Sequence, residues 1–190
     1  MIMKKCLFLM ILPALAGCLS PAKIAPVAYW PVAYNGPVVS VPSARYGVTR
    51  GLPIVVCAPY DAPSLTVLRA DGTVAFDPLN AFAATPSKLL KGAMFDAMVA
   101  SGLFAEVVGT GSIATASSSA EVVIDRLALD CRQDGERKAV VALHVRILKG
   151  HEIVATAKGE GASDAASGDY GSAFSDAFSS AFVMAFAQLR

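Results

Sequence analysis

Four phenylalanines, Phe174, Phe178, Phe182 and Phe186, recur every four residues near the end of the chain, beside Ala173, Ala177, Ala181, Ala185 and Leu189. Apolar positions repeating near the 3.6-residue period predict an amphipathic helix beginning at about Tyr170. Ser175, Asp176, Ser179 and Ser180 fall off this ridge and are expected to face water. The ridge serves either as core packing of a helix on a sheet or as a comb contacting lipid or another subunit. A second helical period, Leu90, Met94, Ala97 and Met98, lies between Thr85-Pro86 and Gly102. Thr85 suits a cap, Pro86 the first turn and Gly102 a left-handed stop.

Elsewhere the period is two. In Ala139–Leu148, Val141, Leu143, Val145 and Ile147 share one face, with His144 and Arg146 on the other, as a half-buried strand requires. Val122–Cys131 reads as its partner across the polar turn Arg132–Lys138, and Lys149-Gly150 turns into a further strand, His151–Lys158. Ile54–Tyr60 and Phe104–Val108 are short β-rich runs, and Gly109–Ser119 is a small-residue loop. Leu65–Asp77 places Asp71-Gly72 between two strand-like runs; Asp-Gly accepts positive φ, so this is a predicted hairpin. The resulting order, β-ββ-α-β-β-β-β-α, predicts an α+β fold: a two-layer sandwich of mostly antiparallel sheet with two helices on one face.

This domain, Ile54–Arg190, follows a stretch of different character. Six of the 11 prolines, Pro21, Pro26, Pro31, Pro37, Pro42 and Pro53, lie between Leu19 and Pro53. Proline removes ladder donors and favours extended backbone, so residues 18–53 are expected to form a semi-rigid tether. Within it "PVAY" occurs twice, at Pro26–Tyr29 and Pro31–Tyr34, around the only tryptophan, Trp30. The strip either docks a partner or a headgroup layer, or is a linker whose aromatics rest loosely on the domain.

The first 17 residues carry Lys4 and Lys5 and then a short apolar run, too brief for the roughly 20 residues that span a bilayer. They read as a signal peptide, Met1–Gly17. Leu15-Ala16-Gly17-Cys18 resembles the lipobox of bacterial lipoproteins, which implies that Cys18 is acylated and becomes the first mature residue; the other reading is a plain signal peptide with a chance cysteine. Two or three acyl chains, at about 0.8 kcal/mol per buried CH₂, anchor a protein durably. Leu19 is not the aspartate that tends to retain such proteins at the inner membrane, so the expected location is the outer membrane, facing the periplasm.

Loss of the leader removes two of the 16 basic residues, leaving 14 against 15 acidic ones, a net charge of −1. That is no nucleic-acid footprint and no polybasic membrane patch. Of four cysteines only Cys57 and Cys131 remain unmodified in the mature chain. In an oxidising periplasm they are a disulfide candidate, closing a loop worth about 4 kcal/mol in the chain-entropy model; alternatively they are two buried strand thiols.

Catalytic constellations are not found. His144 and His151 have no ligand-like spacing and are expected to be solvated. Neither a nucleophile elbow nor a phosphate loop occurs, and Gly109-Thr110-Gly111 fits no dinucleotide pattern. Asp125 and Asp130 stand at odd separation on a strand, hence on opposite faces, which argues against an acid/base pair. Neither an enzyme nor a metal or cofactor protein is expected.

With the lipobox and tether, the run Phe82–Val108, "FAATPSKLLKGAMFDAMVASGLFAEVV", resembles the auxiliary lipoprotein component of ABC-type transport systems, the family that includes the paraquat-inducible lipoprotein C. The matching positions are Phe82, Ala83 and Pro86 at the helix entry, then Ser101, Gly102, Phe104 and Val107. Phe82 stands where the family usually has tryptophan. The resemblance implies a non-enzymatic, outer-membrane-anchored part of a system moving phospholipid or other apolar molecules, working beside an MCE-domain protein and an ABC permease with its ATPase. It also implies homo-oligomers in some members. The expected partner or oligomer face is the off-stripe side of helix Thr85–Ser101: Phe95 and Val99 beside Lys88 and Lys91. The competing class is a structural or secretion-assembly lipoprotein, such as a pilotin-like escort.

Overall fold

The computed structural model describes residues 25–190 apart from Val41 and Asp134. The predicted leader and Cys18, the expected acylation site, lie outside the described residues. In chain order the elements are β1 (Ala28–Trp30), β2 (Tyr46–Gly51), β3 (Val55–Val56), β4 (Ser64–Arg69), β5 (Val74–Phe82), α1 (Pro86–Ala100), β6 (Phe104–Val108), β7 (Ser118–Cys131), β8 (Lys138–Lys149), β9 (Glu152–Asp164) and α2 (Tyr170–Gln188). Strands make up 43% of the described residues, and the fold is α+β, with both described helices packed on a mixed, mostly antiparallel sheet.

The organising strand is β7. Along one edge it pairs with β8 over its whole length, and β8 in turn with β9, both antiparallel. Its other edge is shared in succession by three short parallel partners: β2 at Ser118–Ala120, β3 at Val123–Ile124 and β4 at Leu129–Cys131. From there the sheet runs one way through β2 to β6 and the other way through β4 and β5 to β1. The β4–β5 hairpin turns on Asp71-Gly72 as predicted: Gly72 has φ 81°, and the Asp71 carboxylate accepts from the Thr73 amide at 2.9 Å.

Helix α2 is the centre of the core. Phe174, Phe178 and Phe182 are wholly buried and Phe186 nearly so, so the aromatic ridge is core packing. The helix lies along β8 and β9 over Val141, Leu143, Val145 and Ile147. Its approach to β9 is set by two glycines. A Cβ on Gly159 or Gly161 would collide with the Ala181 or Ala177 carbonyl oxygen. Small, poorly β-forming residues there hide the strand from sequence reading, and β9 runs to Asp164 rather than stopping at Lys158. Likewise β7 starts four residues earlier than predicted, at Ser118, whose hydroxyl meets that of buried Thr49 at 2.7 Å.

The largest departure concerns the predicted tether. From Ala28 onward it is part of the domain. β1 adds to β5, and the Trp30 indole donates to Asn80 at 3.0 Å. β2 sits between β7 and β6. Between them the chain crosses the outside of α2 as a strap: the Ala33 amide donates to the Ser175 hydroxyl (3.0 Å), and the Asn35 amide to that of Ser179 (2.9 Å). The Asn35 side chain also bonds Asp176, and the Val39 amide reaches the Ala100 carbonyl at 2.7 Å. Ser175 and Ser179 are therefore buried instead of facing water. Extended proline-rich backbone keeps its donors free of internal bonds, which is what lets a row of serines take them.

Candidate functional site

Helix α1 buries Leu90, Met94, Ala97 and Met98 against the sheet, as its period requires, and ends where Gly102 takes φ 65°. Its start is held differently from expectation. Thr85 occupies the cap position but its hydroxyl makes no cap bond. The carboxylate of Asp61, 26 residues upstream, accepts from the Ser87 amide (2.8 Å) and hydroxyl (2.9 Å). A carboxylate at a helix N-terminus satisfies free donors and opposes the dipole's positive end.

With that orientation set, Lys88, Lys91, Phe95 and Val99 form one exposed line along α1. Phe95 is 36% and Val99 57% exposed. A hollow of about 280 Å³ opens beside Phe95, floored by Gly51, Met94 and Gly109. Among the described residues neither lysine joins an ion pair. The four positions singled out in the sequence are thus brought together as an apolar stripe with cations at its N-terminal end. A second apolar groove, of about 620 Å³, lies between Gly36-Pro37 and Val183, Met184 and Ala187 of α2.

The cysteines are not brought together. Cys57 follows β3, its amide donating to the Ile124 carbonyl, while Cys131 ends β7. By the parallel register Cys57 lies level with Asp125, so six residues of β7, about 20 Å, separate the two, against the 7 Å limit on Cα separation for a disulfide. Both are free thiols, correcting the disulfide expectation. Burial pushes the Cys131 thiol up, with Arg137 acting the other way, so it stays protonated and unreactive at neutral pH.

His144 also departs from expectation. Its ring is only 16% exposed, and Nδ1 meets Asp125 Oδ2 at 2.9 Å. The cause is a bulge in β7 between Ile124 and Arg126, which inserts Asp125 as an extra residue. One inserted residue reverses the strand's parity, so Asp125 and Asp130 share the outer face rather than opposing each other. They remain five residues apart, about 16 Å along the strand, and engage different partners, Asp130 being bound by Arg132 at 2.7 Å. That guanidinium holds the Asp130 carboxyl below its ordinary range. Among the described residues no three His, Cys, Asp or Glu side chains are grouped to hold a metal ion, and no helix is long and apolar enough to cross a membrane.

No family model matches the sequence, and no curated protein matches it. Solved structures do. A Xanthomonas campestris protein assigned to the family DUF330 aligns with TM-score 0.58 at 17% identity, over 82% of this chain and 87% of that one. An uncharacterized protein aligns with TM-score 0.50 at 10% identity, over 70% and 80%. A weaker likeness, TM-score 0.42 at 13% identity over 79% and 93%, is to the PelC dodecamer from Paraburkholderia phytofirmans. The chain shares its fold with the first of these.

Proposed function

We propose that this chain is a lipid-anchored, non-catalytic docking component of an envelope transport system of the ABC/MCE type, serving the movement of phospholipid or other apolar molecules between membranes. The observation that carries the docking role is the α1 stripe: Phe95 and Val99 stay partly exposed to water on a helix whose opposite face is buried. Exposed apolar side chains rimmed by charge, next to a hollow, are the features of a protein-contact surface. The transport assignment rests on the resemblance of Phe82–Val108 to the auxiliary lipoprotein family and on the Cys18 motif. The partners on this reading are an MCE-domain protein and an ABC permease with its ATPase, and further copies of the chain itself.

The test is recovery through a C-terminal tag from gently solubilised membranes. MCE and ABC subunits should accompany the wild type and be lost from Cys18→Ala, which has no thiol to acylate. Recovery of the chain alone, or with unrelated envelope machinery, would overturn the transport assignment in favour of a structural or pilotin-like lipoprotein.

A further inference from the structure

A further apolar surface lies at the β1–β5 edge of the sheet. Val27, Tyr29, Val74, Phe76 and Leu79 are each between 40 and 66% exposed. The register places Tyr29, Val74 and Phe76 together. Tyr29 is level with Ala81, Ala81 pairs with Ser64, Phe76 with Thr66 and Val74 with Leu68. Paired residues share a face, and Ser64, Thr66 and Leu68 alternate onto one side of β4, so Tyr29, Phe76 and Val74 all project from the sheet face opposite the helices. A bulge at Asp77–Asn80 draws Phe76 and Ala81 to positions two residues apart on β4, about 7 Å. The adjacent carboxylate does not spoil the patch: Asp77 is turned back onto the Leu79 and Asn80 amides at 2.8 and 3.0 Å.

The chain enters the fold at this patch. The described residues begin at Ala25, two positions before Val27. Cys18 is seven residues earlier, and seven residues span at most about 25 Å whatever their conformation. Had the tether run free to Pro53, the domain would have roamed roughly 120 Å from the bilayer. With β1 locked into the sheet, the β1–β5 end is held within a headgroup layer's reach of the anchor.

We infer that the Tyr29–Phe76 face docks on the phospholipid surface that carries the acyl anchor, with its aromatic side chains at the headgroup level. The inference rests on the acylation of Cys18 assumed in the proposed function. An anchor supplies local concentration; a short apolar and aromatic face supplies orientation. Because this face is the side of the sheet opposite the one on which α1 packs, docking there turns the α1 stripe away from the membrane, toward periplasmic partners.

The full-length acylated protein is reconstituted into phosphatidylethanolamine–phosphatidylglycerol vesicles, with and without brominated acyl chains. Phe76→Trp and, as control, Ile113→Trp each add one tryptophan to the resident Trp30; Ile113 is fully exposed in the β6–β7 loop. The emission added by Phe76→Trp should shift to the blue and be mostly lost on brominated vesicles, while that added by Ile113→Trp stays unchanged. Equal, water-like emission from both in acylated protein overturns the docking inference and leaves the anchor intact. Mass spectrometry finding Cys18 without acyl chains overturns the anchoring reading and this inference with it. Shielding of Phe76→Trp that follows protein concentration rather than vesicles assigns the face to a second copy and likewise overturns membrane docking.

Discussion

The two helices carry similar apolar stripes and meet different fates. α2 is enclosed: the sheet takes its phenylalanines, β9 presses on its backbone, and the strap covers its serines. α1 is packed on one face and bare on the other. What separates them is the chain that arrives to cover the outer side. The strap spans α2 and stops at the Ala100 carbonyl, the last residue of α1. The strap closes the first half of α2, leaving only the groove at Val183, Met184 and Ala187 open, whereas α1 keeps an apolar line open along its length.

Substitutions sharpen that contrast. The largest effects belong to α2 and its bed. Gly161→Ala drives a methyl into the Ala177 carbonyl, and the backbone must part; a loss of about 3 kcal/mol or more is expected in urea unfolding, as for severe overpacking. Phe178→Ala empties a wholly buried site and should cost about 3–5 kcal/mol in the same assay. Ser179→Ala removes the acceptor of the Asn35 amide and should cost about 1–3 kcal/mol, with faster proteolysis within residues 31–39 as the sign that the strap has lifted. On α1 the expected numbers fall. Asp61→Ala strips the N-terminal cap and should cost about 0.5–2 kcal/mol, whereas Thr85→Val should change little, because no cap bond is lost. Phe95→Asp should leave stability within about 0.5 kcal/mol while abolishing partner recovery or an oligomer in size-exclusion chromatography; unchanged association would clear α1 of the role.

One pH effect follows from the outer sheet face. The hydrogen bond from Arg132 depresses the folded-state pKa of Asp130 below its ordinary value. Its contribution is therefore present above the unfolded pKa and is lost as pH falls through the folded one. Asp130 is partly exposed, so the effect is small; Asp130→Asn should lower the neutral plateau of a melting-temperature profile slightly and flatten its acid limb below about pH 4.

Much of this was readable along the chain. Helix periods, the Asp71-Gly72 turn, the Gly102 stop and the alternating face of β8 are local: each depends on residues within one or two turns of one another, and the backbone has few ways to satisfy them. The α1 stripe was legible for the same reason, as the side of a helix left over once its buried side is known. The phenylalanine period declared a helix with an apolar ridge; that the ridge is core rather than a comb for lipid or a subunit was decided by the sheet that buries it.

Pairings between distant segments were decided only in three dimensions. Proline spacing describes a stretch that cannot pair with itself, yet says nothing about a row of serines about 140 residues away that accepts its amides. Gly159 and Gly161 look like weak strand formers until a helix backbone lies on them. Asp61 caps α1 across 26 residues, and a single inserted residue in β7 moves Asp125 under His144. Cys57 and Cys131 stay apart because the β3–β7 register holds them six residues out of step. Local preference is a property of a short peptide; which surfaces meet is settled by the burial and hydrogen bonding of the whole chain at once.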